Sequence, residues 1–526
     1  MRSKLNRFIL EIIHAIGISR ITGLVFVIVV FQFIHNLEPL LISRLLSNTD
    51  AILSVVLLCI SLIAPALMKY PINTLLQNIR KDSKNVLIRQ VMQKDYSFFS
   101  KHEVSEIQQL IDEISFSARG LFHDAIIPIL NSFLLLVVNT VILVQQNILV
   151  GFAFAFVMVL YAIISFVVLK NNGRQITDVM KTSAQVKASL LDTYVNIDSI
   201  ITHDSKDYET KLIGKDLESE KRAYYHLQDK INRVNILLQG LIVLFVVIVY
   251  LVSSYLDPGV FSPSIILILV FSLVNYSGIG SQVLTYVEYR DRLNVGIEKI
   301  GLYADQEKQS LNYISGTGLP DNVCLRLNNV TYGYDSPLKQ NISFDVLKGD
   351  RILIKGGNGT GKTTLLKVIA GLMAPMSGEV SGNSSDIGYY SQSAMLFNRT
   401  ILDNIVYPRP DNFNSYERVM DIIRSVGLSQ LIPDAEALDT IVSGELSSRF
   451  SGGEKQKILL SRAFFEQRTI VLLDEIDASL DACTKENFLD LLVKWLPSST
   501  IVVISHNKQD EAFFNKVIDL VLASGA

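Results

Sequence analysis

The chain has 526 residues, of which 49% are hydrophobic and 19% are charged, and its mean hydropathy is +0.33. Soluble globular proteins carry about 25% charged residues, so this balance argues against a wholly soluble protein. A formal net charge of -3 provides no global basic field, which disfavours nucleic acid as a partner. The three cysteines, Cys59, Cys324 and Cys483, are too few and too far apart for a disulfide framework or a zinc cluster.

Long uncharged runs dominate the first 300 residues. They cover residues 21–34, 51–68, 125–169, 234–256 and 259–287. As one helix, a run as long as 125–169 would measure about 68 Å, which is roughly twice the hydrocarbon thickness of a bilayer. That run therefore predicts two spans joined by a turn at 145–147. Together the five runs predict a membrane α-helical bundle of six transmembrane helices.

The distribution of basic residues predicts the orientation of these spans. Seven Lys or Arg lie within residues 70–123 and nine within residues 171–230, whereas the short turns near 47–50, 145–147 and 257–264 contain none. By the positive-inside rule the long connections are cytoplasmic, and so are both termini. Residues 79–93 and 186–208 alternate apolar and charged positions at helical spacing, which predicts that helices continue from the membrane as long cytoplasmic extensions.

The composition changes after residue 300. Gly, Asn, Ser and Asp separate short Val and Ile runs there, a pattern typical of a soluble α/β domain. We therefore predict a transmembrane domain over residues 1–304, a polar linker over 305–322 and a soluble domain over 323–526.

A phosphate-binding loop is predicted in the soluble domain. A short strand signal at 351–355 precedes it and a helical segment at 364–372, beginning with Thr364, follows it. Glycines let backbone N–H groups converge on phosphate oxygens, the lysine adds a full positive charge, and the threonine hydroxyl can bind Mg²⁺. The segment fits the pattern G-x-x-x-x-G-K-[ST] as Gly356-Gly357-Asn358-Gly359-Thr360-Gly361-Lys362-Thr363.

Two carboxylates follow a second apolar strand signal at 469–473. Because ligands bind at the carboxyl ends of strands in α/β sheets, Asp474 is expected to hold Mg²⁺ through water and Glu475 to polarise an attacking water. On its own, a strand that ends in Asp-Glu is equally compatible with a helix cap. The phosphate loop in the same domain favours the nucleotide site.

Five motifs resemble those of ATP-binding-cassette proteins, and they occur in the order typical of that family. One residue of these motifs, Ser451, also has a simpler interpretation as the N-cap of the helix that follows it. In chain order the motifs are the adenine-stacking aromatic Tyr334, the Q-loop Tyr389-Tyr390-Ser391-Gln392, the signature Phe450-Ser451-Gly452-Gly453-Glu454, the D-loop Ala478-Ser479-Leu480-Asp481 and the switch histidine His506.

The resemblance implies an α/β P-loop ATPase domain fused to the membrane bundle, with ATP and Mg²⁺ as cofactors. It implies that Tyr334, the phosphate loop through Thr364, and Ser451, Gly452 and Gly453 bind ATP. It also implies that Thr363, Gln392 and Asp474 hold the metal, and that Glu475, His506 and Gln392 act in hydrolysis. The two departures in the signature are mild, because Phe450 replaces leucine and Glu454 replaces glutamine around an unchanged Ser-Gly-Gly. The D-loop reads Ala-Ser-Leu-Asp where Ser-Ala-Leu-Asp is usual, and Ile476-Asp477 replaces Ala-Thr after the glutamate.

Three further segments are similar to those of the exporter branch of the family. The resemblance covers nearly the whole chain and implies a half-transporter that acts as a homodimer with two shared ATP sites; a heterodimer stays open. We expect it in the bacterial inner membrane among membrane lipids, with a cytoplasmic nucleotide domain and no leader-peptidase domain. The segments are 396–401 with Asn404-Ile405, the X-loop Ser443-Gly444-Glu445, and Asp95-Tyr96-Ser97-Phe98-Phe99 before the first coupling helix.

The cargo path and the cargo are predicted from polar residues in the spans. Ionisable groups inside a membrane are costly and often functional, and His35 and Glu38 lie on one helix face. For this pair the alternative is a polar contact between helices or a position at the outer interface, and for the further candidates polar contacts between helices are an equally good explanation. The polar inventory favours a small amphipathic peptide of the antibacterial type as cargo, with a lipid flippase or a multidrug exporter as the alternative. The further candidates are Gln32, Asn131, Asn139, Asn275, Tyr276 and Gln282.

Overall fold

A computed structural model describes most of the chain in two units. One unit comprises Met1–Lys94 with His102–Ala304, and the other Asp95–Lys101 with Asp305–Ala526; they are called here the membrane unit and the soluble unit. The described residues are 2–17, 22–23, 26–27, 29–30, 33–34, 37–46, 51–170, 173–256, 263–276, 279–302, 314–315, 319–334, 336–382, 386–391, 394–411, 413–442, 450–476, 480, 482–505 and 508–520.

The membrane unit is built from helices. Its described helices are α1 (Arg2–Ile16), α2 (Glu38–Leu46), α3 (Ala51–Met92), α5 (Val104–Gly120), a π-helical turn (Leu121–Ile126), α6 (Ile127–Gln146), α7 (Ile148–Lys170), α8 (Gly173–Val195), α9 (Ile197–Thr202), α10 (Lys206–Leu256), α11 (Pro263–Tyr276) and α12 (Ile279–Lys299). The short helix α4 (Tyr96–Lys101) belongs to the soluble unit.

Three described helical segments are long and apolar enough to cross a membrane. They are Ile52–Met92, Val104–Gln146 and Lys206–Val252, and Ile148–Ile164 is a shorter apolar helix. The first predicted span, 21–34, and the last, 259–287, each include residues outside the described part of the chain. The uncharged runs 51–68, 125–169 and 234–256 thus lie in long helices.

The predicted turn between two spans is confirmed at Asn147. Helix α6 ends at Gln146, and Asn147 takes an extended conformation with φ -152° and ψ 116°. Its side-chain Oδ1 accepts hydrogen bonds from the backbone N–H of Leu149 at 3.0 Å and of Val150 at 3.2 Å. Asn147 therefore caps the start of α7, because it satisfies N–H groups that lack partners within the helix.

The predicted helical extension over 186–208 is confirmed, but two short breaks interrupt it. Helix α8 ends at Val195, α9 covers only Ile197–Thr202, and α10 begins at Lys206. Asn196 donates a side-chain hydrogen bond to the backbone oxygen of Asp192 at 2.9 Å, and Asp204 lies in the left-handed region with φ 50°. Asn and Asp readily make such local contacts and tolerate this conformation, so they interrupt a helix that the apolar pattern alone would continue. The other predicted extension, 79–93, is confirmed as the end of α3.

Helix α1 was not foreseen from the uncharged runs. It precedes the first predicted span and carries charged residues, yet Leu5, Phe8, Ile12 and Ile16 are all buried. Their spacing of three and four residues places them on one face of a helix. An amphipathic helix therefore packs into the membrane unit ahead of the first span.

Two sheets form the framework of the soluble unit. The described strands are β1 (Ile314–Ser315), β2 (Val323–Gly333), β3 (Pro337–Leu347), β4 (Arg351–Gly356), β5 (Ser377–Gly382), β6 (Ile387–Ser391), β7 (Ile470–Asp474), β8 (Thr500–Ile504) and β9 (Lys516–Leu520). Five of them form a parallel sheet in the order β6-β7-β8-β4-β9, and the other four form a sheet in the order β1-β5-β2-β3.

Helices cover the parallel sheet, whose central strands are buried along their whole length. Every residue of β7 and β8 is buried, as expected for strands of a parallel sheet that is covered on both faces. The α-helices of this part of the soluble unit are α13 (Lys362–Ile369), α14 (Ile401–Ile405), α15 (Tyr416–Ser425), α16 (Gly452–Glu466), α17 (Ala482–Glu486) and α18 (Phe488–Trp495).

Strand β1 lies inside the segment that the sequence predicts as a linker, 305–322. Ile314 pairs with Val380 of β5 in parallel, and its side chain is only 5% exposed. The predicted linker therefore contributes a strand and a core residue to the soluble unit. Two residues are too few to show the alternation that identifies a strand.

Replacement of this core residue tests the position of β1. Ile314→Ala should lower the free energy of unfolding of the soluble unit by about 2–5 kcal/mol, because the substitution leaves a cavity among buried side chains. The sole tryptophan of the chain, Trp495, belongs to α18 and reports this unfolding by fluorescence during denaturant titration. In contrast, Val517→Ala on half-exposed β9 should change it by no more than about 0.5 kcal/mol. Equal effects of the two substitutions would contradict the placement of β1.

Candidate functional site

The phosphate loop connects β4 to α13, so the predicted strand before it and helix after it are confirmed. Gly361, the residue before α13, has φ 86° in the left-handed region, and a Cβ there would lie 3.0 Å from the ring of Tyr332. Glycine is therefore required at this position by both conformation and space. Residues 357–359 are exposed at the tip of the loop.

Lys362 lies folded across this loop. Its Nζ donates hydrogen bonds to the backbone oxygens of Gly356 at 3.0 Å and Gly357 at 3.1 Å, and the residue is buried. Thr360 Oγ1 donates to the same Gly357 oxygen at 2.9 Å. The ammonium group therefore stands within the loop, where an incoming phosphate oxygen can replace the two carbonyl acceptors.

Thr363 and Asp474 meet beside the loop. Thr363 Oγ1 donates a hydrogen bond to Asp474 Oδ1 at 3.0 Å, and the carboxylate is buried. A hydroxyl and a carboxylate oxygen are the ligand types that Mg²⁺ prefers, so the pair fits this metal. No cluster of three or more His, Cys, Asp or Glu suited to a metal occurs among the described residues. Mg²⁺ would then need phosphate oxygens and water to complete its ligands.

Tyr389 is a functional residue whose contact the sequence did not reveal. Its hydroxyl donates a hydrogen bond to Asp474 Oδ2 at 2.9 Å. Strand β6 pairs with β7 in parallel, with Ser391 opposite Asp474, which brings the tyrosine side chain alongside. Burial raises the pKa of Asp474, whereas the hydrogen bonds from Tyr389 and Thr363 lower it, and the net pKa lies above its usual value. The tyrosine thus helps to keep a buried carboxylate ionised.

Glu475 has a strained backbone conformation. Its φ is 53°, which is unusual for a residue other than glycine, and its N–H donates to the backbone oxygen of Ile504 at 3.1 Å. Such conformations are costly and concentrate at functional sites. The strain directly after the metal-side carboxylate agrees with a constrained position for this glutamate.

Gln392 and His506 lie outside the described residues, but the strands that lead to them are described. Gln392 directly follows β6 and His506 follows β8 by two positions. Strand β7 lies between those two strands, with Asp474 paired to Ser391 on one side and to Ile504 on the other. The three segments that carry the predicted hydrolytic residues therefore leave the sheet at one edge.

Lys367 on α13 stands near the predicted adenine-stacking residue. Its Nζ lies 5.3 Å from the centre of the Tyr96 ring on α4, a contact within the soluble unit. Burial lowers the pKa of Lys367, whereas its hydrogen bond with Tyr96 and the proximity of Tyr334 and Asp474 raise it. The second effect is larger, so the pKa lies above its usual value. Tyr334 itself is 56% exposed. Its ring is thus available to a base.

The signature segment begins α16 with a capping box. Ser451 Oγ accepts a hydrogen bond from the N–H of Glu454 at 3.3 Å, and Ser451 N–H donates to Glu454 Oε2 at 2.7 Å. The interpretation of Ser451 as an N-cap is therefore confirmed. Ser451 and Gly452 are exposed in the single chain. The X-loop, 443–445, and residues 478, 479 and 481 of the D-loop lie outside the described residues.

Polar candidates for the cargo path divide into contacts and undescribed residues. Gln32 and His35 lie outside the described residues, as do the side chains of Asn275 and Tyr276, and Glu38 is buried at the start of α2. Gln282 Oε1 accepts a hydrogen bond from Ser132 Oγ at 3.2 Å, and Asn139 Nδ2 donates to Ser272 Oγ at 2.7 Å. For Gln282 and Asn139 the structure therefore favours contacts between helices.

Comparison with known proteins identifies the family. Residues 9–277, more than half of the chain, match the family model described as ABC transporter transmembrane region. The chain belongs to the ABC transporters. Residues 339–478 match the model described as ABC transporter, so that the membrane region and the nucleotide-binding region of this ABC chain are fused, as expected of a half-transporter.

The names of similar proteins describe several kinds of transport. The transport/processing ATP-binding protein ComA of Streptococcus pneumoniae is 24% identical over 450 residues, which cover 80% of this chain and 60% of ComA. The lactococcin-A transport/processing protein LcnC of Lactococcus lactis is 23% identical over 92% of this chain and 70% of LcnC. The mitochondrial iron-sulfur clusters transporter ATM1 of Debaryomyces hansenii is 34% identical over 39% of this chain and 32% of ATM1. The ABC chain thus spans less than two thirds of ATM1 and of ComA.

A solved structure confirms the fold. The structure titled as a bacterial Atm1-family ABC exporter with ATP bound has a TM-score of 0.81, covers 96% of this chain and 95% of its own, and is 17% identical. The predicted fold class, a membrane helical bundle fused to an α/β P-loop domain, is therefore confirmed. At this identity the likeness concerns the fold alone.

The contact between Tyr389 and Asp474 can be tested by the pH dependence of ATP hydrolysis. Tyr389→Phe removes a hydrogen bond that lowers the pKa of Asp474, so the carboxylate should become protonated at a higher pH. The acid limb of kcat/KM for MgATP should move to higher pH, with less change in the neutral range. Tyr390→Phe is the matched control, because the Tyr390 hydroxyl donates to Glu466 at 2.7 Å instead. Identical acid limbs in the two variants would contradict the role of Tyr389.

Proposed function

We propose that two copies of this chain form an ATP-driven exporter. The observation that carries the proposal is the meeting of Thr363, Asp474 and Tyr389 beside the lysine of the phosphate loop, in a chain that also contains long apolar helices. This arrangement suits MgATP, and the strained Glu475 follows it directly. Hydrolysis of ATP in the soluble unit would then drive movement of cargo across the membrane.

In the proposed reaction each group of the chain has a separate task. Backbone N–H groups of the phosphate loop and Lys362 bind and orient the phosphates, and Tyr334 stacks on adenine. When bound, Mg²⁺ held by Thr363, Asp474 and Gln392 neutralises phosphate charge. Glu475 takes a proton from the attacking water, and His506 stabilises the charge that develops.

Two copies would complete each site. The signature residues Ser451, Gly452 and Gly453 begin a helix whose N-terminus favours anions, and in one chain Ser451 and Gly452 are exposed. We propose that they contact ATP bound to the phosphate loop of the other copy. ATP must bind the closed dimer more tightly than the open dimer, since only differential affinity can move the membrane units between their two states.

We place the dimer in a bacterial inner membrane, with the soluble units and both termini in the cytoplasm. The basic connections over 70–123 and 171–230 support this orientation. Both carboxylates and the Ser-Gly-Gly core are present in this chain, which favours a homodimer with two active sites over a heterodimer.

For the cargo, we propose a small amphipathic peptide. LcnC is named as a lactococcin-A transport protein, and its alignment with this chain covers most of both chains. A lipid flippase is the second candidate, because an apolar groove of about 550 Å³ lies between α6 and α12 and includes the charged side chain of Arg290 in its lining. The groove is lined by Ile126, Ile129, Leu130, Phe133, Val283, Tyr286 and Val287.

Removal of the proposed base should trap ATP. Glu475→Gln should lower the turnover of ATP by about 100-fold or more, while ATP binding is kept, because the amide cannot accept the proton of water. Turnover and the ATP retained per chain after gel filtration are measured together. The exposed Glu417→Gln on α15 is the control and should hydrolyse ATP like the wild type. Wild-type turnover in Glu475→Gln would refute the assignment.

Stimulation of ATP hydrolysis identifies the cargo class. The dimer in lipid nanodiscs is titrated separately with short amphipathic peptides, lipid-linked compounds and hydrophobic cations. Peptides alone should stimulate turnover, and Glu475→Gln should abolish the stimulation. If lipid-linked compounds or hydrophobic cations stimulate instead, the peptide proposal is wrong and the flippase or drug exporter replaces it.

A further inference from the structure

Two long helical segments of the membrane unit contact each other over a great length. One comprises α5, the π-helical turn and α6, from Val104 to Gln146, and the other comprises α11 and α12. Ile114 lies opposite Gly296, Ser132 opposite Gln282, and Asn139 opposite Ser272. Because the numbers rise on one segment as they fall on the other, the segments are antiparallel. We call these two segments the paired segments.

Glycines allow the paired segments to approach closely at two places. A Cβ on Gly120 would lie 2.3 Å from Cζ of Tyr289, and a Cβ on Gly296 would lie 2.5 Å from Cγ1 of Ile114. Each segment therefore contributes one glycine against which a large side chain of the other segment packs. Such contacts fix both the distance and the register of two helices.

Three hydrogen bonds join the paired segments along their length. Tyr289 donates from its hydroxyl to Asp124 Oδ2 at 2.9 Å, at the end where the uncharged run begins. The bonds from Ser132 to Gln282 and from Asn139 to Ser272 follow at increasing depth in that run. The Ser132–Gln282 bond is partly buried and the Asn139–Ser272 bond is buried, whereas the Tyr289–Asp124 bond is exposed. The contact is thus specified at three levels.

Asp124 occupies an unusual piece of backbone. It belongs to the π-helical turn Leu121–Ile126, and its other carboxylate oxygen lies 2.5 Å from Nδ1 of His123. Single π turns within α-helices are rare and often occur at functional positions. The Tyr289 ring, held against Gly120, and its hydroxyl, bound to Asp124, connect α12 to both sides of the point where the other segment changes helical type.

The connection of these segments to the soluble unit suggests their role. Helix α5 begins at Val104, directly after the stretch Asp95–Lys101 that belongs to the soluble unit. Helix α12 ends at Lys299, shortly before the chain enters the soluble unit at Asp305. Both paired segments therefore emerge from the soluble unit within a few residues along the chain.

We propose that Asp124 and Tyr289 are positioning residues for transport, which make the paired segments move as one rigid lever when ATP is bound or hydrolysed. The proposal rests on the exporter function above. A displacement of either segment at its cytoplasmic end is carried to the other and through the depth of the bundle. Without the contact at Asp124, the segments could bend separately at the π turn, and ATP hydrolysis would continue without the full movement of the membrane unit.

The test measures hydrolysis and membrane movement in the same dimer. Cys59, Cys324 and Cys483 are replaced, and a spin label is attached at exposed Gln145, beside the turn between α6 and α7. The distance between the two labels is measured in nanodiscs, without nucleotide and after trapping with MgATP and vanadate. Tyr289→Phe removes only the hydroxyl, and Asp124→Ala removes its acceptor. Tyr70→Phe is the matched control, because this tyrosine is exposed on α3 and lies outside the paired segments.

We expect Tyr289→Phe and Asp124→Ala to keep the KM for ATP within about twofold of the wild type, while trapping moves the labels by less than half the wild-type change. The double variant should be no worse than either single variant, since both remove one contact. Asp124→Asn should restore the movement because its amide oxygen accepts the same hydrogen bond. Tyr70→Phe should behave like the wild type.

Two failures are distinguishable. A wild-type protein that neither hydrolyses ATP nor changes its label distance would overturn the exporter function itself. A wild-type protein that does both, with Tyr289→Phe and Asp124→Ala showing the full change in distance, would overturn only the rigid lever. The rigid lever would also be overturned if both variants bound ATP poorly, failed to trap nucleotide and showed no movement, and if Asp124→Asn had the same defects. The contact would then be needed for folding.

Discussion

The proposed nucleotide site depends on one buried carboxylate, which must be charged if it is to hold Mg²⁺. Asp474 ends a strand whose residues are all buried, and that burial favours its neutral form. The charged form is supported by two hydroxyls from different parts of the chain, Thr363 after the phosphate loop and Tyr389 on the neighbouring strand. The loop, β6 and β7 must therefore all be in place before the carboxylate can serve a cation.

Local patterns explain why much of this site could be foreseen from the sequence. The phosphate loop, the strand leading to Asp474 and the N-cap Ser451 each depend on residues adjacent in the chain. The contact between Tyr389 and Asp474 depends instead on which strands are neighbours, and residues 85 positions apart carry no mark of that pairing. Strand β1 was missed for a related reason, because two residues acquire strand character only through pairing with β5.

In the membrane unit, the absence of charge predicts helices but not their interruptions. Hydropathy averages over many residues, whereas Asn196, Asp204 and the π turn at 121–126 alter the backbone within one turn. Composition also could not decide whether polar side chains line a path or join helices. Contacts decide this for Gln282 and Asn139, whose partners lie 150 and 133 positions away.

The stretch Asp95–Lys101 has a consequence for how such a chain can be divided or recombined. It is surrounded in sequence by the membrane unit but folds with the soluble unit, where Tyr96 lies against Lys367. No single cut therefore separates the two units without leaving part of one behind. If a chimera exchanges only the residues from 305 onwards, Tyr96 of this chain faces the residue that another protein has in place of Lys367. A compatible exchange must therefore also include Asp95–Lys101 as a second, separate insert.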